Sequence, residues 1–229
     1  MQKEYNIGAV IVAAGSGLRF GEKKQIKKLG AKPLYLYSLQ SFVDCDLIDE
    51  IVLVVPKDLQ KAITYEVAQL NSRITVVEGG KLRQDSALAG LNKLSNKCEI
   101  VCVHDAARPF VTNDLIERTI VACEKNDGAV AAMPSHDTVK EVVVNNSIKR
   151  TIPRETIWLA QTPQTFHVKQ LKKVLSHASK NKIQVTDEST LLESLNHSIV
   201  VVEGNVNNFK ITTQNDWRLA ELILERSNG

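Results

Sequence analysis

Short apolar runs alternate along the chain with longer stretches of helical periodicity. The runs Ile7–Val12, Ile51–Val55, Ile74–Glu78, Ile100–His104 and Ala129–Pro134 predict strands. Between them, Leu34–Asp44, Leu59–Leu70, Asp85–Leu94 and Asp114–Lys125 carry the three-to-four spacing of helices. Strands that are apolar almost throughout must be covered on both faces. The alternation therefore predicts an α/β fold with a mostly parallel central sheet flanked by helices. In such sheets ligands bind beyond the carboxyl ends of the strands.

The pattern changes after Pro134. Thr138–Ile152 is rich in Val and Thr, with Asn145-Asn146-Ser147 at its middle, and reads as a β-hairpin projecting as an arm over about 136–155. Such an arm either folds back on its own domain or pairs with its copy in a second subunit, which makes a homodimer the simpler expectation. Beyond it come a strand near Trp158–Gln161, a helix near Val168–Ser179 and a capped helix start at Thr186-Asp187-Glu188-Ser189. Strands near Ile199–Glu203 and Asn208–Ile211 precede a final helix, Asn215–Arg226. Without repeats or a low-complexity linker, 1–229 reads as one domain that leaves no length for a fused second enzyme.

A net charge of +3, spread lysines and few aromatics argue against a nucleic-acid surface. No apolar run reaches membrane-spanning length and the first residues lead almost directly into a strand, so neither a membrane anchor nor a targeting peptide is expected. Cys45, Cys98, Cys102 and Cys123 form no C-x-x-C pair and lie in apolar surroundings, as reduced core thiols of a cytoplasmic protein do.

The first strand runs into Ala13-Ala14-Gly15-Ser16-Gly17, followed by Arg19, Lys23 and Lys24. Small residues let backbone N–H groups approach a phosphate and the cations neutralise it, so the loop suits a nucleoside triphosphate. It is not a Walker A loop, because Glu22 follows Gly21, and the spacing Gly15, Gly17, Gly21 is a poor match to a dinucleotide fingerprint. Gly79-Gly80-Lys81-Leu82-Arg83, with Ser86, is a second small-residue turn, read either as a cradle for a base or sugar or as a plain connection. His104-Asp105-Ala106-Ala107-Arg108 ends the fourth strand. Asp105 there suits magnesium between phosphates, or a structural pair with Arg108. His104 has no assigned proton-transfer role. Arg154 lies at the base of the arm, Thr162 in a turn extended by Pro163, Thr186 in a helix cap and Lys210 near a strand end.

Together these motifs resemble the 2-C-methyl-D-erythritol 4-phosphate cytidylyltransferases, CTP-using enzymes of the non-mevalonate isoprenoid pathway. The resemblance runs from Ala9 to the last helix through A-A-G-S-G-x-R-F-G, G-G-x-x-R-x-D-S, V-H-D-A-A-R-P-F, D-T-V-K, Q-T-P-Q-T-F, T-D-E-S and N-x-K-I-T. It implies a Rossmann-like nucleotidyltransferase fold. It also implies that Arg19, Lys24 and Lys210 hold the triphosphate and stabilise the transition state. Ala13, Ala14, Gly15 and Gly17 would form the backbone cradle, and Gly80, Arg83 and Ser86 would surround the cytidine, with Ala106 beside Asp105 on the nucleotide side. By the same resemblance Asp105 is linked to Mg2+, and Thr138, Arg154, Thr162 and Thr186 belong to the methylerythritol phosphate side. The arm would swap across a homodimer so that Arg154 serves the other subunit. The chain departs from the family at Val12, Lys81 and Phe209 without losing a charge the chemistry needs, and asparagines before Lys210 offer no second carboxylate for the metal. Ribitol 5-phosphate cytidylyltransferases, a non-catalytic nucleotide-binding regulator and a nicotinamide oxidoreductase are the rival readings.

Overall fold

The computed structural model describes residues 5–15, 17 and 20–227. In chain order the elements are β1 (Ile7–Val12), β2 (Lys28–Leu29), β3 (Lys32–Pro33), α1 (Leu34–Val43), β4 (Glu50–Val55), α2 (Gln60–Ala68), β5 (Ile74–Glu78), α3 (Arg83–Lys93), β6 (Ile100–Asp105), α4 (Asn113–Glu124) and β7 (Gly128–Pro134). The arm strands β8 (Val139–Val142) and β9 (Ile148–Ile152) follow. After them come β10 (Trp158–His167), α5 (Val168–Lys180), α6 (Ser189–Glu193), β11 (Ile199–Glu203) and α7 (Gln214–Ser227).

Seven strands form one sheet in the order β11-β7-β10-β6-β1-β4-β5. Every pairing in it is parallel except those of β10, which runs antiparallel between β6 and β7. The period-two alternation of a strand sorts side chains to the two faces. Ile7, Ala9 and Ile11 point into a core with Tyr35, Leu39 and Phe42 of α1 and Ile116 and Ile120 of α4. Val10, Val52 and Val103 point the other way, onto Leu91 of α3 and Leu171 and Leu175 of α5. A third cluster, apart from both layers, joins Phe20, Leu29, Leu34 and Ile211 to Trp217 and Ala220 of α7.

The strands read as Ile7–Val12, Ile74–Glu78 and Ile199–Glu203 have those bounds, and the hairpin turns through Asn145 and Asn146, both at positive φ (76° and 63°). Two expectations are corrected. The turn expected around Pro163 is instead an irregularity inside the ten-residue β10, where register with β7 shifts between Ala160 and Gln164. Proline cannot donate to the ladder, so it lodges where pairing is already interrupted. Asn208–Ile211 is not a strand. The amide of buried Asn208 donates to Gln161 Oε1 (3.0 Å) and Thr162 O (2.9 Å), and Ile211 N–H to Ala107 O (2.8 Å), which pins the segment without a ladder.

Candidate active site

A cavity of about 620 Å³ opens at the carboxyl ends of β1, β5 and β6. Its walls carry Ala13, Ala14, Gly15 and Gly17 of the first loop, Gly80, Arg83 and Ser86 of the second, Asp105 and Ala106 after β6, and Lys24 and Lys210. The two loops nearly touch. A Cβ on Gly79 would stand 2.3 Å from the Ala14 Cβ, so only glycine permits this approach. Ser86 Oγ accepts the Gly80 N–H (3.1 Å) and donates to Leu82 O (3.1 Å), while the Asp85 carboxylate accepts the Leu82 N–H (3.2 Å) at the start of α3. Gly17 has φ 72°, and its carbonyl oxygen accepts the N–H groups of Phe20 and Gly21 (both 2.9 Å).

Charge converges on the floor of this cavity. Arg83 Nε meets Asp105 Oδ1 at 2.7 Å, and its Nη1 meets both oxygens of Glu188 at 2.7 Å. Lys210 Nζ meets Asp105 Oδ2 at 2.6 Å. Burial works against the Asp105 charge, but the Arg83 guanidinium and the Lys210 ammonium outweigh it and hold the carboxyl well below the usual carboxylate range. Burial pushes the Glu188 carboxyl up, with Arg83 pulling the other way. The Lys24 ammonium donates to Ile211 O, so two lysines far apart in sequence share one stretch of backbone. Among the described residues, the cavity thus pairs small-residue backbone with the cations Lys24, Lys81, Arg83 and Lys210, a design that suits a polyphosphate.

A profile of the family described as 2-C-methyl-D-erythritol 4-phosphate cytidylyltransferase matches residues 7–226. The chain belongs to this family. It is 37% identical to the 2-C-methyl-D-erythritol 4-phosphate cytidylyltransferase of Alkaliphilus oremlandii over 231 residues, covering 98% of each chain. It is 38% identical to that of Syntrophus aciditrophicus over 226 residues (96% and 97%). The crystal structure of the 4-diphosphocytidyl-2C-methyl-D-erythritol synthase from Anaerococcus prevotii superposes with a TM-score of 0.88 at 33% identity, covering 96% of both chains.

The fold gathers the described residues expected on the nucleotide side around the cavity, and leaves Thr138, Arg154 and Thr186 off its wall. Arg19 lies outside the described residues. Lys23, expected in the same basic loop, turns away to pair with Asp58. Arg108 does not pair with Asp105, as one reading of the sequence had it. Its Nη1 donates to Asn208 O (2.8 Å), and Asp105 goes to Arg83 and Lys210. Thr138 and Arg154 are exposed on the arm, Arg154 bonding His136 O (2.8 Å), and neither lines the cavity. Asp187, not Thr186, caps α6, accepting from Thr190 N–H (3.3 Å) and Thr190 Oγ1 (2.7 Å), with Thr186 exposed before it.

Thr162 and His104 lie beneath the floor. Arg108 O can only accept, so His104 Nε2, 3.2 Å away, carries the ring proton. His104 Nδ1 then accepts the Thr162 hydroxyl (3.0 Å), whose oxygen accepts the Asp105 N–H (3.1 Å). Thr162 is therefore turned inward, supporting Asp105 from below. Burial holds His104 down at about 3 against an ordinary 6.5. The unfolded chain takes up this proton first, so the stability contributed is complete above pH 6.5 and is lost as pH falls toward 3. Urea unfolding should show about 2 kcal/mol less stability at pH 5 than at pH 7. A His104→Gln chain should lose most of that difference, and equal stabilities of the wild-type chain at the two pH values would refute it.

Glu188 is the functional-site residue that sequence reasoning passed over. The Thr-Asp-Glu-Ser run reads as a helix cap, and the only hint of more was an acidic residue that the cap did not need. Among the described residues, Asp105 is the one carboxylate on the cavity wall, and they hold no group of three or more His, Cys, Asp or Glu able to bind a metal. That donor set fits Mg2+, which takes one or two carboxylates and fills its octahedron with water and substrate phosphates.

Proposed function

We propose that this chain transfers the cytidylyl group of CTP to 2-C-methyl-D-erythritol 4-phosphate, releasing pyrophosphate and forming 4-diphosphocytidyl-2-C-methyl-D-erythritol. The observation that carries this reading is the convergence of Lys24, Lys210, Arg83 and Asp105 on a glycine-lined cavity in a chain of this family. A phosphate oxygen of methylerythritol phosphate attacks the α-phosphorus of CTP in line. The second pKa of a phosphate monoester is about 6, so the nucleophile is already ionised at neutral pH and needs no base. Buried, neutral His104 agrees with that.

The barrier is the meeting of two anions. At about 4 Å each pair of unit charges repels by roughly 1 kcal/mol in water and about 4 kcal/mol at an effective dielectric of 20. Lys24, Lys210 and Arg19 offset this repulsion and the charge that builds on the equatorial oxygens. Asp105 would hold Mg2+, which when bound neutralises phosphate charge. Ala14, Gly15 and Gly17 would present backbone N–H groups to the triphosphate. Ala13, whose N–H is given to Val54 O (2.7 Å), lines the cradle beside them, and Gly80, Ser86 and Ala106 shape the wall for the cytidine.

The methylerythritol phosphate side is completed by a second copy of the chain. Val142, Val144 and Ile148 of the arm are 55%, 94% and 63% exposed, and burial of each such side chain is worth about 1.5–3 kcal/mol. A homodimer formed through the arm would cover them and carry Thr138 and Arg154 to the partner's cavity. The four free, buried cysteines suit a reducing cytoplasm.

The test follows pyrophosphate release from CTP and Mg2+ with methylerythritol phosphate or ribitol 5-phosphate as acceptor. Release with methylerythritol phosphate alone is expected. Release only with ribitol 5-phosphate would keep the chemistry and discard the substrate. No release with either, while CTP binds, would point to a regulatory nucleotide-binding protein.

A further inference from the structure

The lysines of the cavity rest on a piece of the fold that belongs to neither layer of the sheet. Phe20, the residue that ends the first loop, is 4% exposed and packs against Trp217 of α7, itself 4% exposed, with ring centroids 5.4 Å apart at 55°. Gln214, in the first turn of α7, donates from Nε2 to Phe20 O at 3.0 Å. The Lys27 ammonium stands over both rings, 5.3 Å from the Phe20 centroid and 5.0 Å from that of Trp217, and the Lys24 ammonium lies 6.0 Å from Phe20.

The indole is held in turn. Trp217 Nε1 donates to Glu221 Oε1, one helical turn on, at 2.8 Å. The start of α7 is fixed by a reciprocal cap. Asp216 Oδ2 accepts the N–H groups of Thr212 and Thr213 (both 2.7 Å), and Thr213 Oγ1 accepts the Asp216 N–H (3.2 Å). That cap begins two residues after Lys210, whose neighbour Ile211 accepts from Lys24. One helix end thus anchors the backbone that carries Lys210 and, through Phe20, the loop that carries Lys24.

We propose that Trp217 and Gln214 are positioning residues for the triphosphate side of the cavity: they grip the first loop by Phe20 and so set where Lys24 stands relative to Lys210. The inference rests on the reading of these lysines as triphosphate ligands. Phe20 lines the cavity and neither Trp217 nor Gln214 does, so each acts through Phe20.

The experiment measures CTP affinity by calorimetry and the KM and kcat of the transfer reaction. The chains compared are wild type, Trp217→Leu, Trp217→Phe and Gln214→Ala, each checked for folding by circular dichroism. The expected result for Trp217→Leu is CTP binding weakened about tenfold, the equivalent of one lost aromatic pair. The KM for the acceptor phosphate should stay unchanged, and Trp217→Phe should recover most of the loss. In a Trp158→Phe background, emission from Trp217 should change saturably with CTP. Gln214 is exposed and its substitution removes a single hydrogen bond, so Gln214→Ala keeps the test decisive if Trp217→Leu does not fold. A several-fold rise in the CTP KM, with the acceptor KM unchanged, is expected of it. Folded variants that bind CTP like wild type would overturn the positioning role and leave the cytidylyltransferase reading standing. A wild-type chain that does not bind CTP would overturn both.

Discussion

Replacing Lys24 or Lys210 with alanine is expected to slow pyrophosphate release by roughly 10²–10³, by analogy with the loss of one preorganised donor to a developing negative charge. Lys24 lies on the cavity wall with its ammonium on Ile211 O, and Lys210 is 2.6 Å from Asp105. Both cations are held by protein groups before any substrate arrives, so little reorganisation is needed when phosphate charge enters. Lys210 has a second effect. Among the described residues, it is one of two cations paired with buried Asp105, and Lys210→Ala leaves that carboxylate its pair with Arg83. The Lys210 variant should therefore also be the less stable of the two, while Lys24→Ala should unfold close to wild type. Turnover with CTP and methylerythritol phosphate, read beside urea unfolding, separates the two effects. Unchanged turnover in either variant would remove that lysine from the mechanism.

The largest loss of stability is expected from Arg83→Met. Arg83 bridges Asp105 and Glu188, whose side chains are 8% and 0% exposed, and its removal leaves two buried carboxylates facing each other with Lys210 as the remaining partner. Removing one member of a buried ion pair costs about 3–5 kcal/mol, because the unpaired charge has already lost its water. Adding Glu188→Leu to Arg83→Met should restore part of the loss, since an apolar side chain there needs no counter-charge. A fall below about 1 kcal/mol for the single variant, measured by urea unfolding, would show that water reaches this network. The same bridge ties the segment before α6 to the second loop. Arg83→Met should thus weaken CTP binding as well as the fold.

Most of the sheet was legible because its strands are buried on both faces. A strand such as Ile7–Val12 must be apolar at every position, which leaves a pattern that a reader of the sequence can find. The arm was legible for a different reason: it is rich in Val and Thr, carries Asn145 and Asn146 at positions of positive φ, and leaves valines exposed. The loop motifs were legible as candidates for the cavity because small residues after a strand permit close backbone approach, although a plain turn uses them too.

Pairings between distant residues were not legible. Nothing in the neighbourhood of Glu188 says that it meets Arg83, 105 residues earlier, nor does the surroundings of Thr162 reveal that its hydroxyl faces Asp105 and His104. The antiparallel insertion of β10 and the pinning of Asn208 likewise depend on what lies alongside, not on local propensity. Local pattern by itself determined most of the elements, their order and the residue types offered at each strand end, because burial and backbone geometry act over a few residues. Which charges neutralise one another, which lysines share a support and which threonine turns inward were decided only when the chain closed, because electrostatics and desolvation depend on distance in space and burial.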